Sequence, residues 1–185
     1  MSLWKLINAR WGSGAGQVDE IRMDASTNTL QTLTYEHHEI HSGSHYYLSG
    51  HEQEASAGTI EFVFTTHATI ETHLVFEVEG SASIQIDLFE GSSSVVGGAA
   101  TTPFNNNRNS GNSAVTTVIK DPTSITDGTL IDSHMKGANK TSGNVGRENE
   151  IVLDLSNVYL LRITSGAINN DIDYRISWYE HTPKH

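Results

Sequence analysis

Four histidines and two glutamates fall within thirteen residues, Tyr35-Glu36-His37-His38-Glu39-Ile40-His41-Ser42-Gly43-Ser44-His45-Tyr46-Tyr47, the densest chemistry in the chain. Imidazole beside carboxylate can ligate a divalent ion or exchange protons near neutrality. His38 and His41 stand three apart, not four as in the helical zinc-protease motif, and Gly43 between two serines interrupts a helix. Read as extended, His37, Glu39 and His41 share a face, but His37 and His41 then lie roughly 13 Å apart at ~3.3 Å per residue, the limit for two ligands of one ion. An ion would need His73, His51 or a symmetry mate. The expectation is no metal, with these histidines hydrogen-bonded on a polar sheet face or in a subunit contact. His37, His38, His41 and His45 are therefore candidates for a pH-sensitive interface, since a neighbouring carboxylate favours the charged imidazole.

Other chemistry is sparse. There is no G-x-S-x-G nucleophile elbow and no G-x-x-x-x-G-K-[ST] phosphate loop, and Gly12 to Gly16 lack the strand-turn-helix setting of a nucleotide fingerprint. Asp171 and Asp173 form a carboxylate pair of the kind any acidic chain offers. Asn139-Lys140-Thr141 matches a glycosylation acceptor by chance composition. Absent cysteine excludes thiolate metal sites, disulfides and cysteine nucleophiles. A non-enzyme without cofactor is expected. Phe104, Asn106 and Arg108 in an asparagine-rich stretch are candidate partner contacts, Arg108 either ordering its own loop through carbonyls or reaching a partner's carboxylate.

The elements that must position these residues are strands. Ile and Val together number 26 against 12 Leu, and 19 Thr join them, so side chains suited to a pleated surface dominate. Apolar residues alternate at Ile60, Phe62 and Phe64, at Ile70, Leu74, Phe76 and Val78, and at Ile84, Ile86 and Leu88. Alternation returns at Val115 and Ile119, at Ile151, Leu153 and Leu155, at Tyr159, Leu161 and Ile163, and most clearly at Ile172, Tyr174, Ile176 and Trp178. Such patterns mark half-buried antiparallel strands. With weaker runs near 29–35, 44–48 and 129–135, they predict nine or ten strands, no convincing helix in the body, and an all-β antiparallel sandwich of the jelly-roll or another Greek-key type, the jelly roll preferred. Residues 91–113 and 136–147 are predicted as long polar excursions, of the kind that is functional, disordered or ordered by a neighbour.

The 185 residues suit one domain with a tail, and the net charge of -11 is unevenly placed. Residues 1–11 carry Lys5 and Arg10 and no acid, leaving the rest at 9 minus 22, or -13; residues 23–107 hold no Lys or Arg. Leu3, Trp4, Ile7 and Trp11 recur at helical spacing ahead of a Gly-rich hinge. Residues 1–23 are thus an arm, extended or short-helical, attached to a β domain over 24–185. Leu3, Trp4, Ile7, Arg10 and Trp11 either pack back on that domain or dock on a partner, and Trp enrichment at binding hot spots favours docking. Acidity argues against nucleic acid as the main partner. With no long apolar run and no signal-peptide core, no membrane association is expected, and synthesis is expected in the cytoplasm.

The thirteen-residue segment, then Phe89-Glu90-Gly91 leading to Thr102-Pro103-Phe104-Asn105-Asn106-Asn107-Arg108-Asn109-Ser110, and Trp178-Tyr179-Glu180-His181-Thr182 together resemble a family of small virion proteins of tailed bacteriophages, over roughly residues 24–183. The resemblance implies a β-sandwich structural protein without catalytic residues. By analogy with decoration proteins, it implies a cement protein on the outer capsid surface that binds the major capsid protein, self-associates as a homotrimer and stabilises the shell. A tail or fibre component with a receptor- or glycan-binding surface is the alternative.

Overall fold

The period-two stretches pair into antiparallel ladders in the computed structural model, which describes residues 35–137, 145–146 and 149–183. One helix, α1 (Tyr35–Ser42), precedes β1 (His45–Glu54), β2 (Thr59–Thr65), β3 (Glu71–Gly80), β4 (Ile84–Glu90), β5 (Ser93–Val96), β6 (Ala99–Thr101), β7 (Phe104–Asn105), β8 (Thr117–Lys120), β9 (Ser124–Thr126), β10 (Thr129–Lys136), β11 (Val145–Gly146), β12 (Ile151–Leu153), β13 (Val158–Ser165) and β14 (Asn170–His181). The chain separates into residues 1–37 and 38–185, and both large sheets lie in the second unit. The first sheet runs β11-β3-β14-β1-β7, with β12 also on β3; the second runs β10-β4-β13-β2-β8-β6; β5 and β9 pair separately.

Alternation decides what meets between the sheets. On β14, Ile172, Ile176 and Trp178 are buried while Asp173 and Arg175 face water. Their burial partners are Leu74, Phe76 and Val78 of β3 and, from the second sheet, Phe62 and Phe64 of β2, Ile84, Ile86 and Leu88 of β4, and Leu161 and Ile163 of β13. Across the interface Phe64 meets Trp178 edge-on at 5.8 Å and Phe62 meets Tyr174 at 4.9 Å. Such aromatic pairs add about 0.5–1.5 kcal/mol each beyond area burial. The result is an all-β antiparallel sandwich, as expected.

One carboxylate sits inside that frame. Glu180, 7% exposed, accepts hydrogen bonds from the backbone N–H of Val115 (2.9 Å) and Thr116 (2.9 Å) and from Trp178 Nε1 (3.0 Å). Three N–H donors satisfy the buried carboxylate without a cation, and they tie the chain entering β8 to the end of β14.

Two expectations need correction. A helix does form in the body, over Tyr35–Ser42, because the run is short and ends at the glycine that was expected to forbid it. Residues 91–113 are not one irregular excursion: β5, β6 and β7 lie within them, two to four residues each, too short to show a period in sequence. The same cause raises the strand count to fourteen among the described residues. Most of 136–147, and the weak run at 29–35 apart from Tyr35, lie outside the described residues.

Buried phenols set an alkaline limit on stability. Burial, then the nearby Glu180 charge, pushes Tyr46 up to about 12. Burial, then the hydrogen bond to Glu52, pushes Tyr174 up to about 12. Burial, then the 2.6 Å bond to Glu90, raises Tyr159 further. The unfolded value is near 10, so each raised phenol contributes stability that is complete below about pH 10 and is lost as pH climbs through 12. Phenolate absorbance should therefore rise for these rings only as the fold is lost above pH 10, and Tyr46→Phe with Tyr174→Phe should flatten the alkaline limb of a stability-versus-pH curve.

Candidate functional site

The end of α1 brings two distant motifs together. The helix stops with Gly43 at φ +78°, a left-handed turn in which Gly43 N donates to Ile40 O (3.1 Å) and Ser44 N to Glu39 O (3.0 Å), the bond pattern of a Schellman cap. Later carbonyls of the turn have no partner within the helix. The asparagine loop supplies them: Asn107 Nδ2 donates to His41 O (3.1 Å), Asn112 Nδ2 to Ser42 O (3.4 Å), and Asn105 Nδ2 to Gly43 O (2.8 Å). The amide oxygens meanwhile order the loop itself, Asn105 Oδ1 accepting from Asn107 N (2.8 Å) and Asn107 Oδ1 from Asn109 N (3.2 Å). A Cβ on Gly43 would lie 2.3 Å from Ser110 Oγ, so the loop packs where only glycine fits. Glu39, 4% exposed, completes the turn, accepting from Ser44 Oγ (2.6 Å) and Ser42 Oγ (3.1 Å) and facing His38 Nδ1 at 3.2 Å.

This docking presents β7 as an edge strand on β1, with Phe104 opposite Tyr47 and their rings 5.8 Å apart. Arg108 lies over Phe104 at 5.5 Å and Arg175 over Tyr47 at 5.1 Å. The four side chains form a cation-aromatic ladder on the outer side of the first sheet, with Phe104 53% exposed. The other described cations are committed elsewhere. Arg162 bonds Glu61 through Nε (2.5 Å) and Asp127 in a fork (2.7 Å each), holding the Asp127 carboxyl below its ordinary range. Lys120 pairs with Glu52 at 2.9 Å, and Lys136 donates to Gly80 O at 2.8 Å. Guanidinium over an aromatic ring is worth about 0.5–1 kcal/mol when exposed and about 2 when a partner removes water. The ladder therefore gains strength on being covered.

A second row crosses the same sheet. His45 stacks with Tyr179 (6.3 Å), Tyr179 with His73 (4.4 Å), and His73 meets His181 (4.7 Å). Register explains the row, since His45 and His73 are both Cα partners of Tyr179 on adjacent strands. Glu71 and Glu150 border it, Glu150 accepting a short bond from Tyr179 Oη. Glu71, His73 and His181 each offer an atom within 4.8 Å of the others, the one such cluster of metal-ligating groups among the described residues.

The predicted site residues separate into three groups. Leu3, Trp4, Ile7, Arg10 and Trp11 lie outside the described residues. Phe104, Asn106 and Arg108 come together with the His segment: Asn106 Nδ2 donates to His45 Nδ1 at 2.6 Å, and Arg108 stacks on Phe104. His37, His38 and His41 are exposed on α1, whereas His45 is 3% exposed. The helix also places His37 and His41 one turn apart, about 5–6 Å between Cβ atoms, in place of the extended spacing of the sequence-based expectation. Sequence reasoning missed Asn105 and Asn112 as helix caps and named His73 without His181, because no local pattern joins residues 108 positions apart. No helix among the described residues is long and apolar enough to cross a membrane. In comparisons with known proteins, no family model matches the chain and no curated protein is significantly similar to it.

Gly43→Ala should cost about 1–3 kcal/mol from the left-handed backbone alone, and more from the contact with Ser110. Asn105→Ala should cost about 0.5–1.5 kcal/mol, since it removes the shortest bond to the buried Gly43 carbonyl and leaves the longer ones from Asn112 Nδ2 and Tyr46 Oη (3.3 Å each). Both should accelerate amide hydrogen exchange across residues 105–112 while leaving β3 and β13 protected, as read by exchange mass spectrometry.

Proposed function

We propose that this chain is a non-enzymatic structural protein of a tailed-bacteriophage virion, a decoration protein that binds the major capsid protein on the outer head surface and stabilises the shell. The observation that carries this is the docking of the end of α1 and the asparagine loop, from two segments that resemble such virion proteins, into one hydrogen-bonded unit that displays the Arg108-Phe104-Tyr47-Arg175 ladder. Exposed aromatics flanked by arginines suit a protein surface that buries them, Arg and aromatic residues being the usual anchors of interfaces. The strand order supports the jelly-roll form of the sandwich. β1-β14-β3-β12 lies against β2-β13-β4-β10, and the chain changes sheet at every step of that set except β4 to β10, as two interleaved Greek keys require. Self-association as a homotrimer and attachment through the basic Trp4/Trp11 arm belong to the same proposal. A tail or fibre protein is the second reading, favoured by Phe104 and Tyr47 as a platform on which a sugar ring could stack.

Quantitative mass spectrometry of purified particles separates the two. A decoration protein should be present at hundreds of copies per particle, and a dozen or fewer would overturn it in favour of the tail. Phe104→Ala with Arg108→Ala should lower particle occupancy at least tenfold, given ~2 kcal/mol or more per hot spot. Deleting residues 1–11 should leave the sandwich folded by circular dichroism yet abolish particle binding.

A further inference from the structure

We propose that Glu71, His73 and His181 form a binding site for a borderline divalent cation of the zinc type, on the outer face of the first sheet. His181 and Glu71 are Cα partners across the β14-β3 pair, and His73 lies two residues along β3 from Glu71, so all three side chains leave the same face of the sheet. Their ring nitrogens are oriented for an ion. His181 Nδ1 lies 2.7 Å from the carbonyl oxygen of Thr182, which can only accept, so that nitrogen carries the proton. His73 Nδ1, buried without an aligned hydrogen bond, faces the Glu150 carboxylate at 3.3 Å, and a carboxylate there favours the ring protonated at Nδ1. Each Nε2 then presents a lone pair to the other across 2.9 Å, a separation at which the two nitrogens otherwise share a proton. Two lone pairs at that distance repel each other unless a positive charge sits between or beside them.

A divalent ion supplies that charge. At Zn–N distances of about 2.0–2.1 Å, tetrahedral geometry puts two nitrogens about 3.3 Å apart, so the rings need part by only a few tenths of an ångström. Glu71 Oε2, 4.0 Å from His73 Nε2, closes as the third ligand by side-chain rotation, and solvent takes the fourth position. Glu150 behind His73 stands where a carboxylate-histidine-metal relay, which fixes the tautomer of a ligating imidazole, would need it. Tyr179, stacked on His73 at 4.4 Å and bonded to Glu150, holds both in place. His51, whose Nδ1 is engaged by Asp173 at 2.9 Å, stands apart from the cluster and serves as a control.

Full-length protein stripped with chelator is titrated with ZnCl2 by calorimetry and with Co2+ by visible absorption. One equivalent should bind, with the intense absorption of tetrahedral cobalt. His181→Ala should weaken binding at least tenfold, Glu150→Gln should weaken it about 10–100-fold through His73 alone, and His51→Ala should change nothing. Circular dichroism of each variant establishes that it is folded. No saturable binding, or binding equal in wild type and His181→Ala, would overturn the site. So would nitrogen NMR of the imidazoles showing a proton shared between the two Nε2 atoms that zinc does not displace.

Discussion

The carbonyls at the end of α1 are the constraint on which the displayed surface depends. A helix that stops at Ser42 leaves acceptors at His41, Ser42 and Gly43, the first two at the surface and the last buried, where an unpaired carbonyl costs about 1–3 kcal/mol. Three asparagines meet that demand with their amide donors, and the amide oxygens of two of them, Asn105 and Asn107, fold their own loop. Because Asn105 is both a cap and a member of β7, capping the helix also seats the edge strand on β1. Phe104 and Arg108 are displayed as a consequence. Gly43 is the pivot, since its left-handed φ ends the helix and its missing side chain admits Ser110.

The sandwich beneath supplies the rigidity that this arrangement needs. β1 is paired along its length with β14, and β14 with β3, so the row His45, Tyr179, His73 is set by backbone register and not by loop conformation. Glu180 secures the far end of β14 to the chain entering β8 with three N–H donors. The charge distribution has a structural counterpart. Arg162, Lys120 and Lys136 are spent on internal acids or carbonyls, whereas Arg108 and Arg175 are directed onto exposed rings. Among the described residues, little basic surface remains for phosphate.

Much of the sandwich was legible in the sequence because its long strands alternate cleanly. Ile172, Ile176 and Trp178 mark their face without help from any other element, as do Phe62 and Phe64. β5, β6 and β7 were not legible, since two to four residues carry no period and pair only because β9, β8 and β1 lie beside them. The helix over Tyr35–Ser42 is hidden in the sequence because Gly43 reads as a break, and Gly43 does break the helix, but at its end. The residues of the proposed interaction surface, Phe104, Asn106 and Arg108, were visible within an anomalous asparagine-rich run. Their mutual arrangement was not, because it depends on carbonyls sixty or more residues earlier in the chain. Likewise His73 and His181 meet only through the β3-β14 register.

The central proposal is that this chain clasps a phage head from outside through the face carrying the cation-aromatic ladder. A reconstruction of the intact particle at side-chain resolution tests it most directly. The sandwich should sit on the outer shell with Phe104, Arg108 and Tyr47 buried against capsid subunits. Density for the sandwich at the tail, or on the head with that ladder turned to solvent, would contradict it.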